Sequence, residues 1–261
     1  MYFIDSHCHL NLLKHKNSKQ EINKFLKQAN NTFVKLFLTV ATSIKDYQQN
    51  FKLFKEYSSV LYSIGIHPLN SSITNLSDIS KFKKEISQNN KIIAFGETGL
   101  DYYHPLHNKI IQKKIFLEHL KMGCELKKPI IIHTRNSEID LLNILSSKEC
   151  KNCTGVIHSY TGDIFTARKL LNLGFYISFS GIVTFKNAKN IKNTLKFIPI
   201  DRILLETDSP YLTPEPYRGK ENQPSNLFII AKYISKLKNI DLYTLSQETK
   251  KNFNKLFNTK Y

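Results

Sequence analysis

Two histidines one residue apart, His7 and His9, stand in the opening stretch Phe3-Ile4-Asp5-Ser6-His7-Cys8-His9-Leu10. The stretch reads as a short strand entering a turn, and successive strand side chains alternate faces. Both imidazoles then point one way and can grip a single metal ion, while Cys8 faces the other side. A lone His pair can also be a satisfied polar pair, so the reading depends on whether further donors fall beside it. They do. His67 follows the apolar run Val60–Ile66, Glu97 follows Ile92–Gly96, and His133 follows Pro129–Ile132. His158 follows Gly155–Ile157, and Asp208 lies just beyond Ile203–Leu205.

Imidazole favours zinc, manganese or iron, whereas carboxylates suit hard ions such as magnesium and can bridge two of them. The six candidate ligands His7, His9, Glu97, His133, His158 and Asp208 are too many for one tetrahedral ion with an open position. They suffice for two divalent ions (Zn2+, Mn2+ or Mg2+) sharing a carboxylate, and Glu97 is the expected bridge. Two ions ~3.5–4 Å apart lower the pKa of a bound water and stabilise the attacking and leaving oxygens of a displacement. Asp208 is placed to take that water's proton, so Glu97 and Asp208 are the expected catalytic residues.

The donors converge only if the chain brings its strand ends together. Eight β-rich runs recur, at Tyr2–Ile4, Phe33–Val40, Val60–Ile66, Ile92–Gly96, Pro129–Ile132, Gly155–Ile157, Phe175–Phe179 and Ile203–Leu205. Between them apolar residues recur at helical spacing, as in Ile22-Phe25-Leu26-Ala29 and Ile44-Tyr47-Phe51-Phe54. Continuous apolar strands alternating with helices imply a parallel sheet covered on both faces. An open doubly wound sheet would carry a Gly-rich phosphate turn after its first strand, and this chain has His-x-His there. The expected fold is therefore α/β, a single (β/α)8 TIM barrel over residues 1–261. Extra C-terminal helices are expected at Pro224–Leu237 and Asp241–Phe257. In such a barrel the C-terminal strand ends meet on one face, where the chemistry is kept.

A hydrophobic fraction of 41% supplies a core, and no apolar run reaches membrane-spanning length. Nothing at the N-terminus resembles a signal peptide, so the expectation is a cytoplasmic protein without a membrane partner. The net charge of +17, from 38 basic and 21 acidic residues, invites a polyanionic partner. Its excess is almost all Lys spread along the chain, a signature that A- and T-rich codon usage also produces. Cys150-Lys151-Asn152-Cys153 has no second pair to form a zinc knuckle and falls between elements, so it reads as incidental in a reduced protein.

The motifs also carry a family likeness. Asp5-Ser6-His7-Cys8-His9-Leu10, Gly65-Ile66-His67-Pro68, Gly96-Glu97-Thr98-Gly99-Leu100-Asp101-Tyr102-Tyr103, Pro129–Arg135, Glu206–Leu212 and Arg218–Pro224 occur in family order. By them the chain resembles the TatD-type metal-dependent hydrolases of the amidohydrolase superfamily, in the bacterial YcfH branch. The resemblance implies a deoxyribonuclease with 3'-5' exonuclease-like activity. It implies one ion on His7, His9, Glu97 and Asp208 and the other on Glu97, His133 and His158, with Asp208 as general base. His158-Ser159-Tyr160 departs from the family's more usual His-Cys-Phe, but the ligand is kept.

Around that centre His67, Arg135 and Arg218 are expected to receive a phosphate, and Tyr102, Tyr103 and Tyr160 to stack on a base. The expected substrate is DNA, attacked at a single-stranded end by a monomer with no obligate protein partner. A metal-dependent amide or ester hydrolase, such as an aminoacyl-tRNA deacylase or a cyclic-amide hydrolase, is the alternative. A nucleic-acid-binding protein on a vestigial barrel is the third reading.

Overall fold

Eight parallel strands alternate with helices in a computed structural model that describes residues 1–14, 18–73, 76–103 and 108–261. The strands are β1 (Phe3–Cys8), β2 (Val34–Thr39), β3 (Val60–Ile64), β4 (Ile92–Asp101), β5 (Ile130–Arg135), β6 (Gly155–Ile157), β7 (Tyr176–Phe179) and β8 (Ile203–Leu205). They pair in sequence order, each parallel to the next. β8 meets β1 through Ser6 Oγ–H to Leu205 O (2.9 Å) and Asp208 N–H to His7 O (2.9 Å), which brings the sheet round to a barrel.

The helices are α1 (Lys19–Asn31), α2 (Ile44–Phe54), α3 (Leu76–Gln88), α4 (Lys109–Glu125), α5 (Glu138–Leu145), α6 (Ile164–Asn172), α7 (Lys189–Phe197), α8 (Leu227–Lys238) and α9 (Leu242–Phe257). Several start on a side-chain cap that satisfies an orphan N–H. Ser18 accepts from Glu21 N, Asp163 from Thr166 N, and Asp241 from Thr244 N. Buried residues recur at helical spacing, as with Ile22, Phe25 and Ala29 of α1, so one face of each such helix covers the sheet. Among the described residues, no helix is long and apolar enough to cross a membrane.

One apolar cluster takes a residue or two from every strand, among them Ile4, Leu38, Leu61, Ile93, Ile131, Val156, Tyr176 and Leu204. Among the described residues it takes from the helices only Phe253, Leu256 and Phe257 of α9. That is the interior of the barrel, with α9 sealing the end where the strands begin. The other end is left for polar side chains.

Three strands run further than their apolar stretch suggests. β4 continues to Asp101 and β5 to Arg135, pairing Gly99 with His133 and Asp101 with Arg135. β1 continues to Cys8. Polar residues end the hydrophobic pattern while the backbone ladder goes on beneath them. Register shifts between Asp5 and Cys8 in β1 and between Phe95 and Thr98 in β4 mark irregularities of the bulge type, which re-aim side chains.

The cysteines differ from expectation in one respect. Cys124 at the end of α4 and Cys153 before β6 form a disulfide, their Cα atoms 5.3 Å apart. That separation lies within the reach of the bond, and the close packing of α4 beside the start of β6 supplies it. Cys150, the other half of the C-x-x-C, is unpaired and buried, as is Cys8.

Candidate metal centre

The six candidate ligands meet at the mouth of the barrel. His7 Nε2 and His9 Nε2 are 3.3 Å apart. Asp208 Oδ1 lies 3.5 Å from the first and 3.4 Å from the second. Glu97 Oε2 lies 3.4 Å from His7 Nε2 and 3.7 Å from His9 Nε2. Donors held 2.0–2.2 Å from one tetrahedral ion are ~3.3–3.6 Å from each other, so these separations suit a shared ion. The other oxygen of Glu97 turns to a second set. Oε1 is 2.9 Å from His133 Nδ1 and 2.7 Å from His158 Nε2, and those two nitrogens are 3.2 Å apart. Glu97, 2% exposed, thus presents one oxygen to each set.

The outer ring nitrogens show which lone pairs point inward. His9 Nδ1–H donates to Val40 O at 2.9 Å, leaving the Nε2 lone pair toward Asp208. His133 Nε2 lies 3.1 Å from Asp101 Oδ2 and His158 Nδ1 lies 3.4 Å from Glu206 Oε1. Protonated on those outer atoms, His133 offers Nδ1 and His158 offers Nε2 toward Glu97. His7 Nδ1 has no hydrogen-bond partner among the described residues.

His67 is different. Leu69 N–H donates to His67 Nδ1 at 3.1 Å, which places the ring proton on Nε2, 3.4 Å from Glu97 Oε1. Three donor groups are close enough to share an ion, His7–His9–Asp208, His7–Glu97–His158 and His67–Glu97–His133, but this tautomer makes His67 a hydrogen-bond donor to the cleft.

Electrostatics follow the geometry. Burial alone would raise the Glu97 carboxyl, but the imidazoles of His158, His67 and His133 hold it well below the usual carboxylate range. Burial also opposes ionisation of Asp208, and His9 and His7 outweigh it, so Asp208 is lowered too. His9 is pushed up to about 9 against its burial by Asp208 and then Glu97. Asp5, fully buried, is pushed up to about 8 by desolvation although Thr207 N–H and Oγ–H donate to it.

Above these donors lies a cleft of about 880 Å³. His67 and Arg135 line it, together with Tyr103, 55% exposed, whose ring lies 3.7 Å beneath the Arg135 guanidinium. Three residues expected at the substrate are not among its lining. Tyr160 is buried with its hydroxyl donating to Asp163 O at 2.8 Å. Tyr102 packs on the core and donates to Asp140 at 2.7 Å. Arg218 stacks over Phe185 at 4.2 Å. All three lie beyond the strand ends, where turn and loop packing rather than strand alternation sets the side-chain direction.

The outer carboxylates Asp101 and Glu206 were legible by that same alternation, four residues from Glu97 and two from Asp208. Tyr211, 53% exposed and edge-on to His9 at 6.0 Å, also lines the cleft; only its place in the Asp208-Ser209-Pro210-Tyr211 segment hints at it.

Barrel and donor set together define the class, a hydrolase that depends on metal. Comparison with known proteins agrees. A family model described as TatD related DNase matches residues 4–258, and the chain belongs to that TatD family. It is 43% identical to the uncharacterized metal-dependent hydrolase YcfH of Escherichia coli, over 98% of this chain and 96% of that protein. It is 48% identical to a metal-dependent hydrolase of Buchnera aphidicola from Acyrthosiphon pisum, over 99% of this chain and all of the relative. In fold it superposes on YjjV, a TatD homologue from Escherichia coli, with a TM-score of 0.91 at 23% identity, covering 99% of this chain and 98% of the other.

Proposed function

We propose that the cleft hydrolyses phosphodiester bonds of DNA at single-stranded ends, in the manner of a 3'-5' exonuclease, with two divalent ions. The observation that carries this reading is the orientation of Glu97, one oxygen toward His7 and His9, the other toward His133 and His158. A carboxylate placed so is the usual bridge between two cations. Bound there, divalent ions supply an acidified water and a Lewis acid for the phosphoryl oxygens.

The chain's own residues do the rest. Asp208, buried and ionised beside His9, accepts a proton from the attacking water at the floor of the cleft. Arg135 offers its planar fork to a non-bridging phosphate oxygen, and Tyr103 beneath it limits where the guanidinium can lie. His67, with its proton on Nε2, donates a hydrogen bond into the same space. Tyr103 and Tyr211 follow β4 and β8, on opposite sides of an eight-stranded barrel, so an unstacked base can lie against either rim.

The test is incubation of the pure protein with end-labelled single-stranded DNA and Mg2+, Mn2+ or Zn2+, beside a panel of amide and acyl-ester substrates. Shortening of the DNA from its 3' end is the expected result. Absence of nuclease activity with bound metal demonstrated removes the proposal, and turnover of the esters alone would establish the other hydrolase reading.

A further inference from the structure

The two halves of the centre are supported in different ways. His9 is held by a backbone carbonyl, Val40 O, and its half includes a carboxylate, Asp208, that faces the imidazoles directly. His133 and His158 have no such carboxylate of their own beyond the shared Glu97. Instead each has a buried acid at its outer nitrogen: Asp101 (2% exposed) within hydrogen-bond distance of His133, and Glu206 (1% exposed) at an ion-pair distance of 3.4 Å from His158 without a hydrogen bond.

Neither acid can swing away. Asp101 uses Oδ2 on His133 and accepts Tyr103 N–H on Oδ1 at 3.0 Å, while Gln112 brackets the Asp101 backbone from both N–H and C=O. Glu206 is held by Ser178 Oγ–H on Oε2, which leaves Oε1 facing His158 Nδ1 at 3.4 Å. β4 and the β8 end thus each supply one inner acid (Glu97, Asp208) and one outer acid (Asp101, Glu206). Two divalent cations would meet four carboxylates, a neutral balance that the inner pair alone does not reach.

We infer that Asp101 and Glu206 are positioning residues that define the His133–His158 half as a separately addressable metal position, one that empties without them while the His7–His9–Asp208 half still binds. This rests on the two-ion reading above, and the experiment separates the two. Metal-free protein is titrated with Co2+, counting bound ions by equilibrium dialysis and following the visible absorption of each equivalent.

The parent is expected to take two equivalents. Asp101→Asn and Glu206→Gln are each expected to keep one with unchanged affinity and to weaken the other about 10–100-fold. Their residual spectrum should match that of His133→Asn and differ from that of His9→Asn, and Asp101→Glu should restore part of the lost binding. One equivalent in the parent refutes the two-ion reading. Two equivalents of unchanged affinity in both variants, with two in the parent, refute the positioning inference alone.

A second measurement needs no variant. Long-range 1H–15N spectra of the Zn2+-loaded parent should show His133 protonated on Nε2 and His158 on Nδ1. The opposite tautomers would overturn the inference even if the variants did not fold.

Discussion

At the scale of single residues the chemistry depends on a few atoms whose roles differ sharply between neighbours. Asp208 faces His7 and His9 at 3.5 and 3.4 Å and lines the cleft, whereas Thr207 beside it serves the buried Asp5. Asp208→Asn keeps the shape and removes the proposed base, so kcat at saturating metal should fall about 10²–10⁴-fold in a steady-state assay. Arg135→Ala removes a forked donor without touching a ligand atom. Its KM for a short oligonucleotide should rise about tenfold or more while metal uptake is unchanged, a difference that dialysis and initial rates together would reveal. The six inner donors were legible because each interrupts or ends an apolar run. The placements of Tyr102, Tyr160 and Arg218 depend on turn and loop packing beyond the strand ends, which the strand pattern does not encode. Alternation along β4 puts Asp101 on the face of Glu97, but its contact with His133 also needs the extended β4–β5 ladder.

At the scale of elements the strands and their order could be read directly, since each strand is a continuous apolar run and each helix has its own spacing. What could not be read was where β1, β4 and β5 stop, because polar mouth residues continue the ladder. α9 illustrates a different limit: its periodicity predicts a helix, but not that Phe253, Leu256 and Phe257 close the barrel floor. Phe253→Ala should cost about 3–5 kcal/mol in urea unfolding, as for other large-to-small changes in a core.

α4 is tied to the chain after β3 by one imidazole. His119 Nδ1–H donates to Ile115 O and Nε2 accepts Ile66 N–H at 3.2 Å, and burial pushes its pKa down to about 4. An unfolded His titrates near 6.5, so the unfolded chain takes up the proton first. Its stabilising effect is complete above that value and is lost as pH falls toward 4, on the order of 3 kcal/mol. Unfolding at pH 7 and 4.5 should therefore show a smaller acid loss in His119→Gln than in the parent.

At the scale of the whole molecule the charge is unevenly used. The net is +17, yet among the described cleft-lining residues Arg135 is the only Lys or Arg, beside Glu97, Asp101, Glu138 and Asp208. Bound divalent cations would add to the positive charge that meets a polyanion at this mouth. Asp208→Asn protein stripped of metal should bind single-stranded DNA about tenfold or more weakly than when loaded with Mn2+, by fluorescence anisotropy at fixed ionic strength. Equal binding would place the affinity on the scattered lysines instead.

The join between the two ends of the barrel has a consequence in time. Ser6 bonds Leu205 across 199 residues, and Tyr2 O accepts Ser246 Oγ–H across 244. A ribosome adding about 5–20 residues each second delivers His7 and His9 roughly 10–40 s before Asp208 appears. Throughout that interval β1 has β2 beside it but not β8, and the nascent chain, held against its own messenger RNA, has no completed centre. The strand ends that carry the six donors can meet only after β8 has been made.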